Sequence, residues 1–291
     1  MIISASRRTD IPAFYAEWFL RRVRAGACVV ANPLNPRAAS RVSLKPEDVD
    51  AIVFWTRNPR PLLSHLAELD ERGFRYYFLF TVLDYPRTLD PSVPPARAAV
   101  AAFRQLARRL GPERVVWRYD PIVFSNVTGA AFHRRAFEDL AAALQGCTTR
   151  CVISFLTIYR KMAARLQALA GQGLRLETPA PAEIEALVRA LATTAAQRGM
   201  ELTACAEERD LAALGVRRGK CVDDELIRRQ FGIRVASRKD PSQRERCRCV
   251  VSRDIGAYDT CVYGCRYCYA TNSFERAREN HARHDPAAES L

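Results

Sequence analysis

The chain has 291 residues, room for one barrel-sized α/β domain of about 250 residues with extensions. It has no run near the ~20 apolar residues that cross a bilayer, and its start, Met1-Ile-Ile-Ser-Ala-Ser-Arg-Arg8, lacks the basic-then-apolar order of a signal peptide, so it reads as cytoplasmic with no membrane partner. The formal net charge of +13 invites nucleic acid, yet only four of the 45 basic residues are Lys and the arginines are dispersed, so a polyanion is not the favoured partner.

The elements follow in βα order. Residues 2–6 read as a short buried strand running into the polar group Arg7, Arg8, Thr9 and Asp10, and Pro12 opens a helix to about Arg24. Residues 28–32 read as a second apolar strand and 40–44 as a short further one. Residues 51–55 are a strand, followed by a helix with Leu62, Leu66 and Leu69 on its inner face. Strands at 76–80, 115–117, 151–155 and 202–205 alternate with helices marked by Val100, Phe103, Leu106 and Leu110, by residues 132–144, and by Ile184, Leu187 and Leu191. Gly26, Gly73, Gly111, Gly146 and Gly199 each stand between a helical stripe and an apolar strand, where a left-handed residue ends the helix. Such alternation indicates a parallel sheet covered by helices, either a barrel or a doubly wound sheet. Residues 1–216 read as the body of this domain, and 217–291 as a cysteine-rich segment that completes it.

In a parallel barrel the catalytic groups sit where strands end and βα loops begin. Here those positions are polar in strand after strand: Ser4, Ser6, Arg7 and Asp10; Asn32; Thr56, Arg57 and Asn58; Thr81; Arg118 and Asp120; Ser154 and Thr157; Glu207. Singly, Asp and Asn also cap helices and Arg pairs with Asp on surfaces. Together they read as one rim. Arg7, Asp10, Arg118, Asp120 and Glu207 are the candidates for substrate or cofactor anchoring.

Ten cysteines in a cytoplasmic chain read as metal ligands where clustered and as small core residues where isolated, the latter being Cys28, Cys147 and Cys151. Cys261, Cys265 and Cys268 form a C-x3-C-x2-C loop, preceded by residues 255–258 as a last strand. Three soft ligands on one loop can hold three irons of a [4Fe–4S] cubane and leave the fourth open, whereas structural zinc usually wants four ligands. Gly264 lets the backbone fold tightly against a bulky cluster. Cys205, Cys221, Cys247 and Cys249 make a second set, read as the ligands of an auxiliary [4Fe–4S] cluster in preference to a zinc ion or no metal; the C-x-C pair is too short for an ordinary disulfide. His65 and His133 fall on predicted helix surfaces, and His281 and His284 in a charged, solvated tail.

At Cys261, Cys265, Tyr267 and Cys268 the chain resembles the radical S-adenosylmethionine superfamily, whose hallmark is C-x3-C-x-aromatic-C. The resemblance implies a [4Fe–4S] cluster on the three thiols and S-adenosylmethionine chelated on its open iron. An electron donor such as flavodoxin or ferredoxin would drive cleavage to a 5′-deoxyadenosyl radical acting on a substrate that the motif does not identify. It places Tyr267 beside the adenine, with Gly264 in the cluster loop. The superfamily carries this motif near the N-terminus, after the first barrel strand, but a closed barrel has no physical first strand. A circularly permuted TIM-like barrel, full or partial, is therefore expected, its last strand pairing with residues 2–6 and Ser4, Ser6 and Asp10 facing the methionine and ribose ends of the cofactor. From Ser4-Ala-Ser-Arg-Arg-Thr-Asp10 through Trp117-Arg-Tyr-Asp120 to the cysteines, the chain is also similar to domain of unknown function 1848, which supplies no substrate. The rival readings are a zinc-stabilised, non-catalytic binding module and a radical repair lyase acting on nucleic acid.

Overall fold

A computed structural model describes residues 1–32 and 35–291. The first part comprises β1 (Ile2–Ala5), α1 (Ile11–Phe14), α2 (Ala16–Ala25), β2 (Ala27–Asn32), β3 (Asn35–Ser43), β4 (Ala51–Thr56), α3 (Arg60–Leu63), α4 (Leu66–Glu71) and β5 (Tyr76–Thr81). There follow α5 (Ala96–Leu110), β6 (Val115–Ile122), α6 (Ala130–Leu144), β7 (Arg150–Phe155), α7 (Arg160–Gln167), α8 (Pro181–Gln197) and β8 (Glu201–Ala204). The last part holds β9 (Arg217–Arg218), α9 (Asp224–Phe231), β10 (Arg253–Asp254) and α10 (Phe274–Arg283).

Eight strands form one parallel sheet in the order β10-β1-β4-β5-β6-β7-β8-β9. Alternate residues face opposite sides, and both sides are buried, which is why the central strands are apolar throughout. Ile3, Ile52, Phe54, Phe78, Trp117 and Ile153 pack with the helical shell. Ile2, Val53, Trp55, Tyr77, Leu79, Val116 and Val152 face the other way, against Leu226 and Ile227 of α9 and the thiols of Cys205, Cys221, Cys247 and Cys249. The five glycines expected to end helices all have positive φ.

The expected barrel is not closed. The pairing that joins the chain's two ends is present, with Ile3 opposite Arg253 and Ser4 opposite Asp254, although the last strand is Arg253–Asp254 rather than 255–258. The far edge, β9, is a two-residue strand of exposed arginines and does not reach β10. Residues 219–252 fill the interval instead, and the Val250 amide donates to the Val222 carbonyl at 3.1 Å.

Other expectations also change. Residues 28–32 are not a strand of the main sheet: β2 pairs antiparallel with β3 in a separate hairpin, so Asn32 leaves the rim. The half-exposed pattern of β2 suits a ribbon rather than a doubly covered sheet. The helix expected over 12–24 is broken at Tyr15 into α1 and α2. His133 is not on a helix surface but fully buried, its ring nitrogens bonded to the Tyr119 hydroxyl at 2.9 Å and the Val123 carbonyl at 3.1 Å. Nor is the tail free in solvent. His281 and His284 pack edge-on against Tyr15, and the Trp18 indole donates to the Ala288 carbonyl at 3.0 Å.

Candidate metal centres

Residues 255–273 leave the carboxyl end of β10 and carry the C-x3-C-x2-C motif. Their path is fixed from several sides. Gly256 lies so close to β1 that a Cβ there would stand 2.1 Å from the Ser6 Oγ. The Thr9 hydroxyl contacts the Thr260 hydroxyl at 2.6 Å, and the Tyr15 hydroxyl donates to the Thr260 carbonyl at 2.7 Å. Arg165 on α7 donates to three backbone carbonyls of the loop, those of Arg266, Cys268 and Thr271. Gly264 turns the chain at φ 71°, in the left-handed region, directly before Cys265. All three thiols are free of disulfides; Cys265 is buried, while Cys261 and Cys268 are partly exposed.

Behind Cys265 lies a buried polar network. Arg57 Nη1 donates to the Cys265 Sγ at 3.3 Å, to Asp90 Oδ1 at 3.1 Å and to the Tyr267 hydroxyl at 2.6 Å, while Nη2 donates to Asp90 Oδ2 at 2.8 Å. The Tyr267 hydroxyl itself donates to Asp90 Oδ1 at 2.7 Å, and its buried ring meets Tyr85 edge-on. Burial raises the Cys265 thiol well above its ordinary range, with Asp90 adding to the shift and Arg57 opposing it. Asp10 caps α1, accepts the Arg57 amide at 2.7 Å, and is pushed by burial to about 7 despite those bonds.

The second set of thiols gathers across the interval in the sheet. Cys205 follows β8, Cys221 follows β9, and Cys247 and Cys249 precede β10. The sulfurs of Cys205, Cys221 and Cys249 all lie within 4.8 Å of one another, the one such group of three ligand atoms among the described residues. Cys247, two residues before Cys249, is buried but lies outside that group of three. The amides of Cys221 and Val222 donate to the Cys249 Sγ at 3.3 and 3.4 Å. Hydrogen bonds from Cys205, Cys221 and Cys247 pull Cys249 well below an ordinary thiol, while the same contacts and burial push Cys205 up. A buried nest of thiols with one favoured thiolate is suited to a cation.

The profile of the family described as domain of unknown function (DUF1848) matches residues 2–270, which include both cysteine sets. The chain belongs to the DUF1848 family. A search of curated proteins returned no match.

The other rim residues of this DUF1848 protein sit between the two sulfur sets. Ser4 and Ser6 donate their hydroxyls to Asp254 at 2.9 and 2.6 Å, so both are engaged in holding β10 against β1. Asp254 also accepts the Arg7 amide at 2.8 Å and pairs with Arg8. Burial alone would raise its carboxyl, but Arg8, the Ser6 hydroxyl and the Arg7 amide hold it below the usual range. Arg118 and Asp120 pair with each other, and Ser154 donates to Asp120. Arg7 and Arg118 lie 5.1 and 4.7 Å from the centre of the Trp55 ring. Glu207 stands apart from them, paired with Arg209 at 3.0 Å.

The sequence reading ranked Arg57 only as one rim residue among many and missed Asp90, Arg165 and Asp254. Asp254 had a usable signal, an acid at the end of the last strand before the motif. Asp90 and Arg165 lie in a loop and on a helix whose local patterns are unremarkable.

Proposed function

We propose that this protein is a radical S-adenosylmethionine enzyme whose [4Fe–4S] cluster is held by Cys261, Cys265 and Cys268. The observation that carries the reading is a loop of three free thiols at the carboxyl end of a parallel strand. When bound, the cluster would take S-adenosylmethionine on its open iron and supply one electron, drawn from a ferredoxin- or flavodoxin-like donor, to cleave it to methionine and a 5′-deoxyadenosyl radical.

The chain's own contribution is position and exclusion of water. The Arg57 N–H on the Cys265 sulfur stabilises that ligand's negative charge, and the Asp90–Arg57–Tyr267 network seals its rear. Tyr267 is committed to that network, so adenine contact at this residue falls to its ring alone. Arg165 holds the loop through its bonds to the Arg266, Cys268 and Thr271 carbonyls. The partly exposed Cys261 and Cys268 define the open side. Electron paramagnetic resonance of the anaerobically reconstituted, reduced protein tests this: the reading predicts a cluster signal that changes when S-adenosylmethionine is added, and a signal indifferent to it contradicts an open iron.

For the second set the spacing favours one tetrahedral ion over an auxiliary cluster. Four thiolates at about 2.3 Å from zinc stand about 3.8 Å apart, compatible with three sulfurs within 4.8 Å of one another. We assign zinc there, acting as a staple between β8, β9 and the approach to β10. Metal analysis giving one zinc per chain beside the iron supports this, and four extra irons without zinc overturn it.

A further inference from the structure

Two aromatic rings near the carboxyl end of the sheet are each flanked by two cations. Trp55 has Arg7 and Arg118 at 5.1 and 4.7 Å from its ring centre; Tyr258 has Arg8 and Lys161 at 5.5 and 4.6 Å. Only half of these cations are neutralised. Arg118 pairs with Asp120 and Arg8 with Asp254, but among the described residues Arg7 and Lys161 have no ion-pair partner. Asp254 and the Cys249 thiol act on Arg7 through space without a direct ion pair.

The hydrogen-bond inventory points the same way. Arg7 Nη2, Arg118 Nε and the Trp55 indole N–H are buried donors without an acceptor, although Trp55 is only 9% exposed. A buried donor without a partner costs about 1–3 kcal/mol, more for a charged one, so three of them around one ring mark a place where an acceptor belongs. The acceptor must be rich in lone pairs and carry no donors of its own. Tyr269, 41% exposed, borders the place from the motif side: it follows Cys268 and its hydroxyl donates to the Arg7 carbonyl at 3.0 Å. The site therefore adjoins the loop of the three thiols.

We propose that Arg7, Arg118 and Trp55 form an oxyanion site for a phosphate or carboxylate group of the substrate. A planar guanidinium fork and an indole N–H match oxygens of such a group. Held there, the anion tethers the substrate beside the Cys261–Cys268 loop, which orients the reacting hydrogen. The catalytic meaning of the site rests on the radical reading; anion binding itself does not.

The test is titration of the full-length, metal-analysed protein with inorganic phosphate and, separately, acetate at constant ionic strength set by chloride, following tryptophan fluorescence. Trp18 and Trp117 are enclosed in the helical core, so Trp55 is the reporter. A saturable change is expected with one of the two anions, which also tells phosphate from carboxylate, and Trp55→Phe should abolish it. Arg7→Met should weaken binding about tenfold or more. No saturable response to either anion overturns the proposal, as does equal affinity in wild type and Arg7→Met. So does loss of second-site metal from Arg7→Met without anion binding in wild type, since the guanidinium would then serve the thiolates. A Cys261→Ala, Cys265→Ala, Cys268→Ala triple variant should still bind the anion, so failure of the radical chemistry and failure of this site are read separately.

Discussion

Arg57 donates to the sulfur of Cys265 at 3.3 Å while its second nitrogen grips Asp90 at 2.8 Å, joining a candidate cluster ligand to a buried ion pair. The side chains of Arg57 and Asp90 are 10% and 4% exposed. Removing one member of such a pair leaves the other charge buried alone, at a cost of about 3–5 kcal/mol. Arg57→Met should therefore lose that much stability in chemical denaturation. The double variant Arg57→Met with Asp90→Leu should recover part of it. If the cluster is bound, Arg57→Met should also shift its reduction potential to more negative values, because an N–H donor on the sulfur favours the reduced, more negative state. An unchanged potential would leave Arg57 a purely structural role.

Gly256 supplies a second prediction. A Cβ at this position would approach the Ser6 Oγ to 2.1 Å and the Ser6 Cβ to 2.6 Å. Ser6 is already tied to Asp254 at 2.6 Å, so it has little freedom to yield. Gly256→Ala should push β10 away from β1 and destabilise the protein by roughly 1–3 kcal/mol, seen as a lower thermal midpoint. An unaltered midpoint would mean that this contact is not tight in solution.

His133 gives the pH dependence. Burial depresses its pKa from 6.5 to about 4, opposed by its bond to the Val123 carbonyl. Between those values the unfolded chain takes up a proton that the folded chain refuses. The stability is therefore fully present above the unfolded value and lost as pH falls through the folded one. The loss should reach roughly 3 kcal/mol by pH 4. His133→Gln should flatten the denaturation midpoint between pH 7 and 4.5 relative to wild type; parallel profiles for the two proteins would contradict the assignment.

The second thiol set predicts a metal-linked stability. Cys221→Ser removes one of four ligands from a site joining β8, β9 and the approach to β10. It should abolish zinc retention and lower the thermal midpoint by about 10 °C, taking each kcal/mol as about 2–4 °C in a chain of this size. Chelation of the wild type should reproduce the shift, and a midpoint insensitive to chelator would remove the staple from the account.

The βα alternation was legible because a left-handed glycine precedes β2, β5, β6, β7 and β8, and because residues 51–55 and 76–80 are uninterrupted apolar runs. Closure was not, because the edges are two-residue strands, Arg217–Arg218 and Arg253–Asp254, with no apolar pattern to betray them. The strand Ala27–Asn32 misled because six residues look alike in a hairpin and in a parallel sheet. His133 was misplaced since one imidazole on a helix gives no sign that a tyrosine and a carbonyl await it. Of the cysteines that the sequence groups, Cys205, Cys221 and Cys249 do lie together. The crowding of Cys205, Cys221 and Cys249, brought together from three separate stretches of chain, came only with the tertiary fold.

The most direct check is to reconstitute the protein anaerobically, reduce it, add S-adenosylmethionine and quantify 5′-deoxyadenosine against Cys265→Ala. The account predicts 5′-deoxyadenosine and methionine in equal amounts from the wild type and background from the variant. Equal background from both would contradict it.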